Sequence, residues 1–111
     1  MKNLYDFRES KNFTKRLADL FTDEEYAEFQ WRLLRFPEEG DVIPNSGGIR
    51  KIRYGSKGRG KRGGARVIYY LAFGKGVIFL LDIYAKNEKQ DLSAFELKTL
   101  KNTVEEWLKD G

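Results

Sequence analysis

The sequence has neither cysteine nor histidine. Without cysteine there is no disulfide staple, no thiolate nucleophile and no Cys-based metal site. Without histidine the commonest general base and the commonest metal ligand are both gone. No cofactor or metal is therefore expected. Proline occurs twice. No apolar run approaches the roughly 20 residues that span a bilayer. The opening residues MKNLYDFRES carry no signal-like apolar region. The expectation is a cytoplasmic protein with no membrane partner. One further absence is local. Between Val42 and Leu81 there is no acidic residue.

That acid-free window holds nine basic residues: Arg50, Lys51, Arg53, Lys57, Arg59, Lys61, Arg62, Arg66 and Lys75. The whole chain is only +4, so the remainder is net acidic. Charge segregated this way makes a local positive field that a polyanion feels. A solvated Lys/Arg loop is the plain alternative. The length of the window, and the strands within it, favour an anion-binding surface for nucleic acid.

At 111 residues and 41% hydrophobic content, the chain reads as a single globular domain over residues 1–111. A short strand is expected at Lys2–Phe7. Phe13, Leu17, Leu20 and Phe21 recur at helical spacing. Thr22-Asp23-Glu24-Glu25 reads as a capping box. It opens a second helix with Tyr26, Phe29, Leu33 and Phe36 on one stripe, and Pro37 stops it. EEGDVIPNSGG is turn chemistry. Ile49–Tyr54, Arg66–Phe73 and Val77–Tyr84 read as strands, the last two joined through Gly74-Lys75-Gly76 as a hairpin. Ser93-Ala94-Phe95-Glu96 is a second capping box, opening a helix with Leu97, Leu100, Val104 and Leu108 on one face. The order β-α-α-β-β-β-α is an α+β fold, a small and mostly antiparallel sheet with helices packed on it. Trp31 and Trp107 read as core or partner-interface residues.

Strand alternation puts Lys51 with Arg53 on one face, and Arg66 with Ile68 and Tyr70 on one face of the next strand. Asp82, Tyr84 and Lys86 share a face at the end of the last strand. If helices cover one sheet face, these cations converge on the other. Arginine grips phosphate oxygens through two parallel hydrogen bonds. Tyrosine can stack on a base, worth on the order of 1–3 kcal/mol. RNA supplies its own nucleophile, the 2′-hydroxyl. Cleavage then needs a base, positive charge for the phosphorane and a donor for the leaving oxygen. A lysine crowded by cations can be the base, and Arg66 can stabilise the developing charge. For Tyr69 sheet packing is the preferred reading, and for Tyr84 packing and stacking stand level.

The stretch YGSKGRGKRGGARVIYY packs five glycines and five basic residues into Tyr54–Tyr70. GxxxxGK[ST] does not occur in it, so it is no P-loop, and it carries no Rossmann fingerprint. Glycine lets backbone approach phosphates closely, so the loop reads as an anion clamp at the sheet edge.

GGIRKIRYGSKGRGKRGGARVIYYLAF, followed by LLDIYAKNEKQDLSAFELKTL, resembles the RelE superfamily of toxins from toxin–antitoxin modules, in particular its HigB-like branch. The similarity extends to DEEYAEFQWRLLRFPEEGDVI. The resemblance implies a metal-independent, ribosome-dependent endoribonuclease. It cuts mRNA in the 30S A site and stops translation. It also implies a cognate antitoxin that neutralises the toxin, with operator DNA contacted only through that complex. The family's catalytic basic residues fall on Lys51, Arg53 and Arg66. Lys57 and Lys61 match the HigB-like branch, and Lys86 matches a lysine after the last strand. Catalysis is thus expected from Lys51, Arg53, Lys57, Arg66 and Lys86, and RNA contacts from Arg50, Arg59, Lys61, Arg62 and Tyr84. The positions of a further family arginine and tyrosine hold Asn87 and Ser93. Ser93 reads better as a cap, leaving Tyr84, Lys86 or Lys89 to substitute. The superfamily also contains ParE-like gyrase poisons. That action, and non-catalytic nucleic-acid binding, are the alternative functions.

Overall fold

A computed structural model describes residues 5–55 and 64–110. The chain runs β1 (Asp6–Glu9), α1 (Lys11–Leu20), α2 (Asp23–Arg35), β2 (Asp41–Val42), β3 (Arg50–Tyr54), β4 (Ala65–Ala72), β5 (Val77–Ala85) and α3 (Ala94–Lys109). The strands form one sheet in the order β1-β5-β4-β3-β2. β1 pairs parallel with β5, and every other pairing is antiparallel. The expected α+β architecture is the one observed.

Local chemistry sets the helix starts. The Ser10 hydroxyl accepts from the Phe13 amide at 3.0 Å and caps α1. Both capping boxes form. In the first, Glu25 N donates to Thr22 Oγ1 at 3.1 Å and Thr22 N donates to Glu25 Oε1 at 2.8 Å. In the second, Glu96 N donates to Ser93 Oγ at 3.0 Å and Ser93 N donates to Glu96 Oε1 at 2.8 Å. α2 carries Asp23, Glu24 and Glu25 in its first turn and Arg32 and Arg35 in its last. That arrangement complements the helix dipole at both ends. Its last cap is Phe36, immediately before Pro37.

Three elements differ from expectation. β1 begins at Asp6 and extends to Glu9, and the Lys2–Leu4 part of the expected strand lies outside the described residues. Its position is fixed by register with β5, Asp6 against Val77 through Glu9 against Leu80, rather than by its own weak pattern. The segment after α2 contains β2, a two-residue strand pairing Asp41 with Lys51 and Val42 with Arg50. A strand that short exists through its partner and leaves no periodicity to read. The hairpin turn starts one residue earlier, as a 3-10 turn at Phe73–Lys75 closed by Gly76 at φ 65°. That left-handed backbone favours glycine.

The core has two halves. On one face, Phe13, Phe21, Phe29 and Leu33 from α1 and α2 pack on Ile52, Tyr54, Val67, Tyr69, Leu71, Ile78, Leu80 and Ile83. On the other, α3 sets Val104, with Leu97, Leu100 and Trp107, against Ile49, Ile68, Phe79, Leu81 and Tyr84. Helices therefore cover parts of both faces, which corrects the expectation of one bare face. The cationic residues share the α3 face but stand outside its apolar cluster. Among the described residues no helix is long and apolar enough to cross a membrane.

Candidate nucleic-acid interface

Three adjacent strands bring the cationic positions together. Arg53 lies opposite Arg66 across β3 and β4, and Arg66 lies opposite Tyr84 across β4 and β5. Residues directly opposite in an antiparallel pair project to the same face. The next row on that face is Lys51, Ile68 and Asp82. A β-bulge between these rows and the rest of the hairpin shifts the register at Ile68/Tyr69, where Leu81 is passed over. It puts Leu81 and Asp82 on the same face, and restores the alternation that carries Tyr84 beside Arg66.

The side chains differ in what they touch. Arg53 is exposed. Arg66 is half-buried, and its Nη1 is buried without a hydrogen-bond partner among the described residues. A buried guanidinium nitrogen left unpaired is costly, and an anion's oxygen is the group that satisfies it. Lys51 Nζ donates to Asp91 Oδ1 at 2.5 Å. The Lys51 hydrogen bond and charge, with a smaller contribution from Arg66, hold the Asp91 carboxyl below its usual range. Lys86 is exposed in the turn after β5.

Two candidates are placed elsewhere than expected. Arg50 projects to the α1/α2 face, because it alternates with Lys51. There its Nη1 donates to the carbonyls of Glu38 (2.9 Å) and Gly40 (2.7 Å). It braces the turn after α2 and points away from the cationic row. Tyr84 is fully buried, so it presents no ring face for a base to stack on. Its ring lies under Lys89, with Nζ 5.0 Å from the centroid. Burial pushes its phenol up, Asp91 adds to this and Arg66 opposes it. Lys57, Arg59, Lys61 and Arg62 lie outside the described residues.

Tyr69 is packed as expected. It is fully buried, accepting from Gly40 N at 2.9 Å and donating to Pro37 O at 2.9 Å. Trp107 stacks edge-on to Phe79 at 4.9 Å and carries Arg8 at 4.0 Å over its ring. Trp31 is exposed on α2.

Lys86 and Lys89 apart, sequence reasoning missed the polar groups around the 86–92 turn. Asp91 is one. Lys89, which donates to Glu96 Oε2 at 2.6 Å, links this turn to the start of α3. Arg16 of α1 grips Glu88 through both carboxylate oxygens. Asp82 is buried and accepts from Asn12 Nδ2 at 3.0 Å and from Ile83 N at 2.8 Å. Burial pushes its carboxyl up, against the Ile83 amide and the nearby Lys89 and Arg16. Asn12 and Arg16 lie 70 or more residues from Asp82 and Glu88, and Lys51 lies 40 from Asp91, so no local spacing betrays these three pairs.

A family profile described as "RelE toxin of RelE / RelB toxin-antitoxin system" matches residues 39–110. Two solved structures are similar in fold. One is a mutant of the E. coli toxin RelE in the free state, 15% identical, with a TM-score of 0.62 over 91% of this chain and 97% of that one. The other is the archaeal RelE–RelB complex from Pyrococcus horikoshii, 23% identical, with a TM-score of 0.51 over 78% of this chain and 99% of that one.

Proposed function

The chain belongs to the RelE toxin family, and from that premise we propose that it is a ribosome-dependent endoribonuclease of the HigB-like branch. It would act as one domain, cut mRNA in the ribosomal A site and arrest translation. Its neutralising partner would be a cognate antitoxin. The E. coli and archaeal structures support the fold for such a toxin, and the archaeal one contains a RelB chain.

The observation that carries the reading is the cross-strand row of Arg53 and Arg66, with Lys51 in the neighbouring row. Two arginines directly opposite on one sheet face repel unless an anion lies between them. Arg66 Nη1, buried with no acceptor among the described residues, adds a donor. A phosphodiester answers both. In the proposed reaction the 2′-hydroxyl attacks the adjacent phosphorus and gives its proton to Lys57 acting as base, while Lys51 faces the phosphate. Arg53 and Arg66 hold the non-bridging oxygens as negative charge builds on the phosphorane. The bond to the 5′ oxygen then breaks, that oxygen takes a proton, and a 2′,3′-cyclic phosphate remains. Lys86 supplies a further phosphate contact.

The test is primer extension on a defined mRNA in a reconstituted translation reaction, with wild type beside Arg66→Ala. New 5′ ends at A-site codons with wild type alone are expected. Intact mRNA with folded wild-type protein would overturn the nuclease reading, and a gyrase cleavage assay would then test the ParE-like alternative. Purified mRNA without ribosomes is expected to remain intact, since the chain has no histidine to complete an acid/base pair.

A further inference from the structure

We propose that the Asp91 carboxylate marks the phosphate position of a nucleotide subsite, and that the cleft beside it takes the attached base. The inference rests on the reading above and locates one nucleotide within it.

Asp91 is the carboxylate that pairs directly with Lys51 beside the Arg53–Arg66 row. One of its oxygens lies 2.5 Å from Lys51 Nζ. Arg66 acts on the same carboxylate through space. An anionic oxygen held by a lysine, within reach of an arginine's field, is the arrangement a phosphate oxygen would occupy. Asp91 is well suited to leave. Its side chain is 73% exposed, whereas that of Lys51 is 30% exposed. The lysine is the fixed half of the pair and the carboxylate the removable half. Exposed pairs of this kind are weakly held, so an incoming phosphate of higher charge competes with it.

The same two residues wall a cleft of about 280 Å³. Its apolar sides are Val42, Ile43, Pro44, Leu92 and Leu97, and Asp41 stands with Asp91 and Lys51 at its polar side. Flat apolar walls beside a cation fit an unstacked base whose phosphate is held at Lys51. Asp41 offers an acceptor to an amino group on the base edge. Asp91 is a poor general base for cleavage. Its carboxyl is held below the usual range by Lys51, which makes it a weak proton acceptor near neutral pH.

The experiment is an NMR titration of the full chain with inorganic phosphate and with adenosine 5′-monophosphate. Asp91→Asn is expected to tighten binding of both by about 1.5- to fivefold, the range an exposed ion pair commands. Adding Lys51→Gln to Asp91→Asn should erase that gain. Val42→Phe, a half-exposed position on the short edge strand β2, fills the cleft. It should weaken the nucleotide and leave phosphate unchanged. Unchanged or weaker phosphate binding by Asp91→Asn would overturn the phosphate position. Equal effects of Val42→Phe on both probes, or none on either, would overturn the base position. These readouts need neither ribosome nor cleavage. A subsite that behaves as expected in a protein that leaves mRNA intact would sink the nuclease reading alone, and cleavage by a protein lacking these binding responses would sink the subsite alone.

Discussion

Arg53 and Arg66 are directly paired across β3 and β4, two cations on one sheet face. Like charges in that position cost stability, commonly a few tenths of a kcal/mol to about 1 kcal/mol. The cost is local to a site that gains from concentrating positive charge. Removing one partner should therefore relieve the fold while weakening the site. Arg53→Thr, a good strand residue, is expected to be as stable as wild type or more so in urea denaturation at low salt. The advantage should shrink as salt screens the repulsion. A clear loss of stability at low salt would show that the pair is not repulsive.

Ser93 separates capping from catalysis. Its hydroxyl accepts from Glu96 N and its amide is held by Glu96. Ser93→Ala should cost about 1 kcal/mol of stability. Growth arrest by the folded variant should be retained. Loss of arrest in a variant that remains folded would give Ser93 a role in the reaction.

Gly64 closes the base of the glycine-basic loop. Its φ is 78°, and a Cβ there would lie 2.0 Å from the Tyr54 carbonyl oxygen. Alanine would meet both the left-handed backbone cost and a clash with the opposite strand. Gly64→Ala is expected to lose more than about 1–2 kcal/mol, the backbone cost alone. Equilibrium unfolding measures it. A variant as stable as wild type would contradict the pinched geometry between β3 and β4.

Asp82 gives a pH dependence of defined sign. Burial raises its folded pKa above the ordinary 3.8. The unfolded chain gives up this proton more readily, so ionisation favours unfolding. The group's relative contribution is therefore intact below about its ordinary value and is lost as pH rises through the folded one. Asp82→Asn keeps an oxygen that can accept from both Asn12 and Ile83. It should stabilise the protein at pH 7 relative to wild type, and the advantage should vanish in acid. Denaturation midpoints at several pH values decide it. A variant less stable at pH 7 would mean that Lys89 and Arg16 outweigh the burial cost.

Much of this was legible in the sequence because it is local. Thr22/Glu25 and Ser93/Glu96 announce their helices, since each cap and its partner are three residues apart. The alternation of Lys51, Ile52, Arg53 and Tyr54 already assigns the faces of β3. The remainder depends on tertiary pairing. β2 exists because Arg50 and Lys51 offer it a ladder. Arg50 was read as a nucleic-acid contact because it stands in a basic run, but one step of the pleat sends it to the other face. Tyr84 was an aromatic at a strand end, and only the packing of Lys89 and α3 reveals that its ring is covered. Asp91 carries no local signal at all. Its meaning comes from Lys51, across the sheet.

The passed-over residue in β5 decides which changes of length that strand can absorb. Ile83 lies in the core under α1 and α2, while Tyr84 lies on the α3 face beside Arg66. Losing the passed-over residue would leave Leu80, Asp82, Ile83 and Tyr84 in plain alternation with the same partners on β4, whereas a residue inserted after Asp82 would exchange Ile83 and Tyr84, driving a phenol into one core and an isoleucine beside the guanidinium. Substitutions can accumulate along β5 one at a time, and a codon can be lost at the bulge, but a codon gained beyond Asp82 would disrupt core and cationic face together.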